Sequence, residues 1–343
     1  MKFSIIIPLY NRPQEIDELL ASLTLQTHKN FEVLVIEDGS TERADSIVNQ
    51  YSDRLDIRYF FKENTRQGFT RNYGFERARG EWFVVFDSDC IIPKHYLESV
   101  LSFLNEHPAI DAYGGPDAAS PEFSRIQKAI SYSMTSPFTT GGIRGGKRNL
   151  GTYHPRSFNM GISRRAWEIT QGYRISVKGE DVEFSIRILD HGLKTALIAD
   201  AYVYHKRRTS FGQFRSQVEF FGRARLNIRK FYPGELKPIH WMPSLFLAYI
   251  LACLIGCVLL PSHIAALCAL PFALWSAAIV GHATLTNRSL AIGLLAWWAG
   301  FCQLSAYGWG LFHEYLQVVI LNRRNPTIGE VKEVPLPTRD QRP

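Results

Sequence analysis

The first apolar run, SIIIPLYNRP at 4–13, is not followed by a glycine-rich phosphate loop: neither Gly-x-Gly-x-x-Gly nor a Walker pattern is present there. That argues against dinucleotide-dependent dehydrogenases and P-loop enzymes, and leaves phosphates to be held by basic side chains and a cation. Cysteine is scarce. Of five, Cys253, Cys257, Cys268 and Cys302 lie in the apolar C-terminal third and Cys90 alone in the polar part, without paired spacing, so neither a disulfide framework nor a zinc site is expected. No apolar run of bilayer length precedes residue 244, and MKFSIIIPLYNRP has no small-residue cleavage pattern behind it, so the N-terminal part is expected to remain cytosolic. Negative charge is almost missing from 206–230, where eight Lys/Arg face the single Glu219 and account for the chain's formal surplus of +7. This basic block runs into a strongly apolar region, which points to anionic lipid headgroups rather than nucleic acid.

What the first part does contain is an alternation of strand and helix patterns. Residues 4–9 and FEVLVIED at 31–38 are continuous apolar runs of the kind buried on both sheet faces, and IRYF (57–60) and EWFVVF (81–86) continue the series. Ile16, Leu19, Leu20 and Leu23 recur at helical spacing, as do Ala44, Ile47, Val48 and Tyr51, and Leu97, Val100, Leu101 and Leu104; a further helix is expected through 69–79. Four short-linked repeats imply an α/β fold with a mostly parallel sheet covered on both faces, which binds ligands at the carboxyl ends of its strands. Tyr10-Asn11, Asp38-Gly39 and Asp87-Ser88-Asp89 fall at those ends.

Three apolar stretches, 244–260, 264–283 and 290–311, approach the length of a bilayer span, with Pro271 interrupting the second and Trp275, Trp297, Trp298 and Trp309 supplying interfacial aromatics. Three spans would put Arg323-Arg324 across the membrane from the basic block, against the positive-inside tendency; two spans with an interfacial last helix would keep both basic regions inside. Glu314 comes after the last stretch, and the spans hold almost no ionisable residue to mark a transport path.

A carboxylate pair at a strand end, Asp87 and Asp89, is a hard-oxygen site suited to Mg²⁺ or Mn²⁺, which completes its shell with phosphate oxygens. His205, closing ALIADAYVYH, is a further competent Mn²⁺ ligand or simply a packed side chain. Glu180 and Asp181 open a helix with an expected inner face of Val182, Ile186 and Leu189; the helix dipole favours acids there irrespective of function, but beside a metal-phosphate site one of them is a candidate base. SPFTTGGIRGGKRNLG at 136–151 reads either as a surface linker or as a flap bringing Arg144, Lys147 or Arg148 over phosphates.

Taken in order, SIIIPLYNR, VIEDGST, NTRQGFTRNYGFERARGEWFVVFDSDC, FNMGISRRAWE and GEDVEFSIRILDHG resemble the family 2 glycosyltransferases of GT-A fold, over roughly the first 205 residues. The resemblance implies a Rossmann-like catalytic domain at 1–205, followed by a basic amphipathic interfacial segment (206–243), transmembrane helices (244–321) and a polar tail (322–343). It implies that Asp38 binds the nucleotide base in a pocket around Pro8, Tyr10 and Asn11, that Arg71 and Ser88 lie near the nucleotide, that Asp87 sits by ribose and metal, and that Asp89 and His205 ligate a divalent cation, Mn²⁺ or Mg²⁺. Asn159 and Met160 match the acceptor side, and Asp181, with Glu180 beside it, matches the catalytic base. Processive members carry a Gln-x-x-Arg-Trp box. Here Gln217 and the run from Gly222 through Arg223 and Ala224 to Arg225 occupy that region on the acceptor side without the tryptophan, which favours single transfer.

The expected activity is therefore inverting transfer from a nucleotide sugar, such as a UDP-sugar, to a hydroxyl of a lipid-linked or glycan acceptor, at the cytosolic face of the plasma (inner) membrane by a multi-pass protein. The basic segment, with Phe211, Phe214, Phe220 and Phe221, either presents the lipid acceptor or only anchors the domain. Transfer to a polyprenyl phosphate, a transporter with a nucleotide-sugar-binding domain, and an inactive sensor are the competing readings.

Overall fold

The computed structural model describes residues 1–118, 120, 122–140, 150–151, 153–323 and 329–335. The chain divides into two compact units, Met1–Ala118 with Lys147–Lys206 and Thr327–Pro343, and Ala119–Gly146 with Arg207–Pro326. The 1–205 segment is shared between these two units. Within the second unit, the helix Arg125–Thr135 packs its apolar face among the C-terminal helices.

The first unit runs β1 (Phe3–Leu9), α1 (Pro13–Thr24), β2 (Phe31–Asp38), α2 (Asp45–Asn49), β3 (Ile57–Lys62), α3 (Arg66–Phe75), β4 (Trp82–Phe86), β5 (Cys90–Ile91), α4 (Tyr96–Glu106), β6 (Ala112–Gly114) and β7 (Asp117–Ala118). The second unit then contributes α5 (Arg125–Thr135) and α6 (Pro137–Thr140) before the first resumes with β8 (Leu150–Gly151), β9 (Asn159–Ser163), α7 (Arg164–Thr170), α8 (Glu180–Asp190), β10 (Thr195–Leu197) and β11 (Val203–His205). Among the described residues the main sheet has eight strands in the order β3-β2-β1-β4-β9-β6-β10-β8. β1, β2, β3 and β4 pair in parallel, Ile5 lying opposite both Val33 and Val84, while β9 runs antiparallel to β4 and β6.

The continuous apolar runs follow from this arrangement, because alternate residues of each strand enter different cores. Ile5, Ile7, Val33, Val35 and Val84 pack with α1 and α4 on one face; Ile6, Leu34, Ile36, Phe83 and Val85 pack with α3 and α8 on the other. Each fully buried side chain of this size contributes about 1.5–3 kcal/mol. Gly74 lets α3 lie close on the sheet, since a Cβ there would meet Ile6 Cγ2 at 2.5 Å. Two helices differ from expectation. α2 is confined to Asp45–Asn49, where polar residues on both sides end it, and α8 turns inward on Phe184 and Ile188 with the fully buried Glu183–Arg187 pair, not on Val182 and Leu189. A small second sheet, ordered β5-β11-β7, pairs His205 with Cys90 across the strand end that carries Asp89.

The second unit adds α9 (Phe211–Phe231), α10 (Met242–Leu259), α11 (Ser262–Asn287) and α12 (Leu290–Tyr315) to α5 and α6. α5 starts with a capping box between Ser124 and Gln127. Phe214 and Val218 of α9 are buried with Ala299 and Ala306 of α12, and the two backbones approach through Gly222 and Gly310, where a Cβ would meet Tyr307 O and Glu219 O at 2.3 Å each. Helix α12 thus covers part of the apolar side of the basic segment's helix. Three helical stretches, Pro238–Leu259, Ser262–Asn287 and Leu290–Ile320, are long and apolar enough to cross a membrane. The third includes Glu314, which is buried and not beyond the last span.

Candidate functional site

Parallel pairing of β1, β2 and β4 brings the residues after each strand to one edge, and the two sheets add β11 beside it. Asp89 is the central acid there. Its Oδ2 accepts from Arg12 Nη1 at 2.5 Å, and its Oδ1 lies 3.1 Å from His205 Nε2. Burial works against the Asp89 charge, but His205 and Arg12 outweigh it and hold the carboxyl well below the usual carboxylate range. Burial likewise opposes the Arg12 charge, and the adjacent Asp89 carboxylate reverses the effect and raises the guanidinium pKa.

This corner fits a divalent cation. Among the described residues, Asp89 Oδ1 is buried and, although close to His205, accepts no hydrogen bond of good geometry, and His205 Nδ1 is also buried without a partner. Two neighbouring ligands of an octahedral ion at ~2.1 Å are about 3 Å apart, the spacing of Asp89 Oδ1 and His205 Nε2. The ring of His205 is fixed by stacking on Phe158 at 5.0 Å. Cys90 lies in the same cluster, but burial pushes its thiol well up and Sγ donates to Phe158 O, so a hard cation gains only the oxygen and imidazole donors. Asp87 is not part of this group. Its Oδ1 accepts from Arg71 Nη2 at 2.8 Å.

Arg71 joins the DSD turn to α8. Fully buried, with its guanidinium 5.4 Å from the Tyr173 ring centroid, it bonds Asp87 with one nitrogen and Glu180 Oε1 at 3.2 Å with the other. Gln67 Nε2 donates to the same Glu180 oxygen at 2.9 Å. Burial, followed by repulsion from Asp181, raises the Glu180 carboxyl above its ordinary value. Asp181 differs: its side chain is partly exposed, accepts from Val182 N at 2.8 Å, and has Arg156 Nη1 at 3.4 Å. Gly179, in the left-handed region at φ 95°, supplies the bend that sends two adjacent acids in different directions.

At the end of β2, Asp38 is buried, paired with Lys62 and bonded by Thr65 N at 2.9 Å. Asn11, at φ 51°, ties the β1 end to the loop after Asp38: its Oδ1 accepts from Thr41 N at 2.8 Å and Glu42 N at 3.1 Å, and its own N–H reaches Ser40 Oγ. Asn11 is therefore a brace between loops. Tyr10 is exposed, Pro8 lies within β1, and Ser88 is buried.

The structure thus gathers Asp87, Ser88, Asp89, His205, Arg71, Glu180 and Asp181 through direct bonds or adjacency, and places Asp38 at the end of a neighbouring strand. It removes two others. Asn159 and Met160 are fully buried: Asn159 bonds Tyr96 Oη and Ala201 O, and Met160 packs under Tyr173, so neither side chain can face an acceptor. Antiparallel β9 runs through the middle of the sheet and turns both into core positions. Gln217, Arg223 and Arg225 lie on α9 in the other unit, where Arg223 pairs with Glu219 at 2.6 Å. Arg144, Lys147 and Arg148 lie outside the described residues. Arg12, Lys62, Gln67 and Arg156 were missed by sequence reading. For Arg12 a signal existed, a cation directly after the first strand end, but nothing in one sequence pairs it with an acid 77 residues away.

Residues 4–169 match the model of Glycosyl transferase family 2. An uncharacterized glycosyltransferase of Rickettsia felis is 40% identical over 144 residues, 41% of this chain and 23% of that protein. The poly(ribitol-phosphate) beta-N-acetylglucosaminyltransferase TarS of Staphylococcus aureus is 32% identical over 152 residues, 39% of this chain and 26% of its own length. Across the first four relatives the match covers 18–32% of the relative's length, so it is confined to one portion of those proteins. Among solved structures, a mannosyltransferase of Pyrobaculum calidifontis, in complex with GDP-Man and Mn²⁺, superposes with a TM-score of 0.64 at 18% identity over 86% of this chain and 85% of that one, a likeness of fold. The ordered motifs and the mostly parallel GT-A-like sheet agree with the match to glycosyl transferase family 2 over residues 4–169.

Proposed function

We propose that the protein is a membrane-associated, inverting glycosyltransferase that moves a sugar from a UDP-sugar to a hydroxyl of a lipid-linked or glycan acceptor. The observation that carries the reading is the buried Asp89–His205 corner with its unbonded carboxylate oxygen, two residues beyond the Asp87–Arg71–Glu180 chain of ion pairs. Asp89 and His205 would hold the divalent cation, which when bound neutralises the donor diphosphate and eases its departure. The matched Staphylococcus aureus relative is an N-acetylglucosaminyltransferase, an enzyme of the same class, which supports the reading.

The chain's own groups divide the remaining work. Arg71, locked between Asp87 and Glu180, cannot swing, so it keeps Asp87 aimed at the donor ribose and Glu180 away from the acceptor. Glu180 is committed to Arg71 and Gln67, whereas Asp181 is partly open and only loosely paired with Arg156, so Asp181 Oδ2 is the oxygen that takes the acceptor proton. The hydroxyl so activated attacks the anomeric carbon opposite the leaving diphosphate, which inverts it. Asp38, Pro8 and Tyr10 hold the base. The apolar helices α10–α12 support a multi-pass placement in the plasma membrane with the sheet unit in the cytosol.

Thermal shift tests this directly. A UDP-sugar with Mn²⁺ is expected to raise Tm, by the equivalent of about 2.7 kcal/mol at a hundredfold excess over Kd. The rise should shrink sharply without the metal. A panel of nucleotide sugars that leaves Tm unmoved with Mn²⁺ present rejects the reading.

A further inference from the structure

The residues after the last candidate span return to the sheet unit, at a place the reaction described above leaves unexplained. Residues 329–335 run beside 174–176 as a short antiparallel strap: Ile175 and Val331 form a bridge, Ser176 N donates to Glu330 O at 3.0 Å, Lys332 N donates to Arg174 O at 2.8 Å, and Glu330 N donates to Ser176 Oγ at 2.9 Å. Gly329 begins the strap at φ 70°, where a Cβ would come within 2.3 Å of Ser176 Oγ.

The same stretch is held on its other side by α3. Gly68 N donates to Ser176 O at 2.9 Å, a Cβ on Gly68 would strike Ile175 O at 2.2 Å, and Asn72 bonds both Tyr173 O and Tyr173 N. Segment 173–176 is therefore a middle strand between α3, which carries Gln67 and Arg71, and the strap. It leads through Lys178 (φ 63°) and Gly179 (φ 95°) straight into Glu180 and Asp181. Two successive left-handed residues need outside support to persist, and the backbone bonds of 174–176 supply it on both sides.

We propose that the strap at 329–335 is a positioning element for the acids of α8, holding the 174–179 bend so that Asp181 meets the acceptor hydroxyl while Glu180 stays on Arg71. The proposal rests on the transferase reading given above. Its working group is the backbone: Lys332 N–H to Arg174 O and Ser176 N–H to Glu330 O close the bend. The Lys332 side chain, by contrast, lines a cavity of about 250 Å³ with Phe69, Tyr73 and Glu76 and takes no part in the clamp.

That difference gives the test, in the full-length protein. Lys332→Pro deletes one clamping N–H, and Lys332→Ala keeps it. With a UDP-sugar and Mn²⁺, Lys332→Pro should lower kcat about tenfold with donor KM within about twofold, because misplacing the base by a fraction of an ångström slows chemistry without loosening the nucleotide. Amide hydrogen exchange over 174–182 should become faster in the same variant. Lys332→Ala should match wild type in all three. Unchanged exchange in Lys332→Pro overturns the clamp, and faster exchange with unchanged kcat overturns the positioning role. A wild-type protein that turns over no nucleotide sugar sinks the transferase reading alone, since the exchange comparison still decides whether the strap holds the bend.

Discussion

The two units bury opposite things. In the sheet unit charged groups go inside and find partners: Glu32 accepts from Ser4 and Arg58, and Glu183 and Arg187 are both fully buried and bonded to each other. In the helical unit large apolar groups stay outside, with Val258 82% exposed and Leu285 79%. Water explains the first pattern, because a buried charge persists only when hydrogen-bonded and paired. It does not explain the second, since α10 and α11 present apolar side chains on nearly every face and bury little of them. Both helices are long and apolar enough to cross a membrane. Polar contacts therefore carry the information in one unit, and apolar exposure carries it in the other.

The comparison breaks most visibly at Asp89. Asp89→Asn keeps the size of the side chain but removes the charge that Arg12 and His205 balance, and turnover should fall on the order of a thousandfold or more, together with loss of the Mn²⁺-dependent thermal shift. Retention of that shift would show that the cation binds elsewhere. Asp181→Asn should cost about a hundredfold to a thousandfold in kcat with nucleotide affinity intact, as expected for a base that does not touch the nucleotide. Since Glu180 stays on Arg71 in that variant, equal loss of donor affinity would mean that the two acids act as one binding unit.

Why some of this was readable in advance follows from range. β1, β2 and β4 declare themselves because a strand buried on both faces needs an unbroken apolar run, and the residues just past such runs have nowhere to go but the strand-end rim. Asp38, Asp87 and Asp89 were visible for that reason. Pairings were not. Arg12 with Asp89, Arg71 with Glu180, and Ser176 with Glu330 join residues 77, 109 and 154 apart, and no local pattern reports such distances. β9 misled for a different reason: NMGIS has the motif of an acceptor loop but the register of a central strand. α5 was silent because a mostly polar helix of moderate length is compatible with either unit until its apolar face finds α12.

A charge in the middle of α10 sharpens the comparison from the other side. Leu254 is 61% exposed, and on a protein surrounded by water Leu254→Arg would be nearly neutral. Within a bilayer the same change should cost about 3–4 kcal/mol of insertion free energy. Carbonate-resistant membrane association of the variant should drop markedly while the nucleotide-induced thermal shift of the sheet unit is retained. Unchanged association would remove α10 from the spans.

Asn159 gives the smallest effect and separates structure from chemistry. Its amide nitrogen donates to Ala201 O at 2.8 Å and its carbonyl accepts from Tyr96 Oη at 2.5 Å, both in the dry interior beside Gly115, whose missing Cβ leaves the space that the amide fills. Asn159→Ala strands a hydroxyl and a carbonyl that water cannot reach, and a buried group left unbonded costs about 1–3 kcal/mol. A loss of about 2 kcal/mol in urea unfolding of the sheet unit is expected, with acceptor KM unchanged at temperatures where the variant is folded. A raised acceptor KM with unaltered stability would instead put Asn159 at the acceptor, and would require β9 to leave the sheet centre in the working enzyme, against its pairing with both β4 and β6.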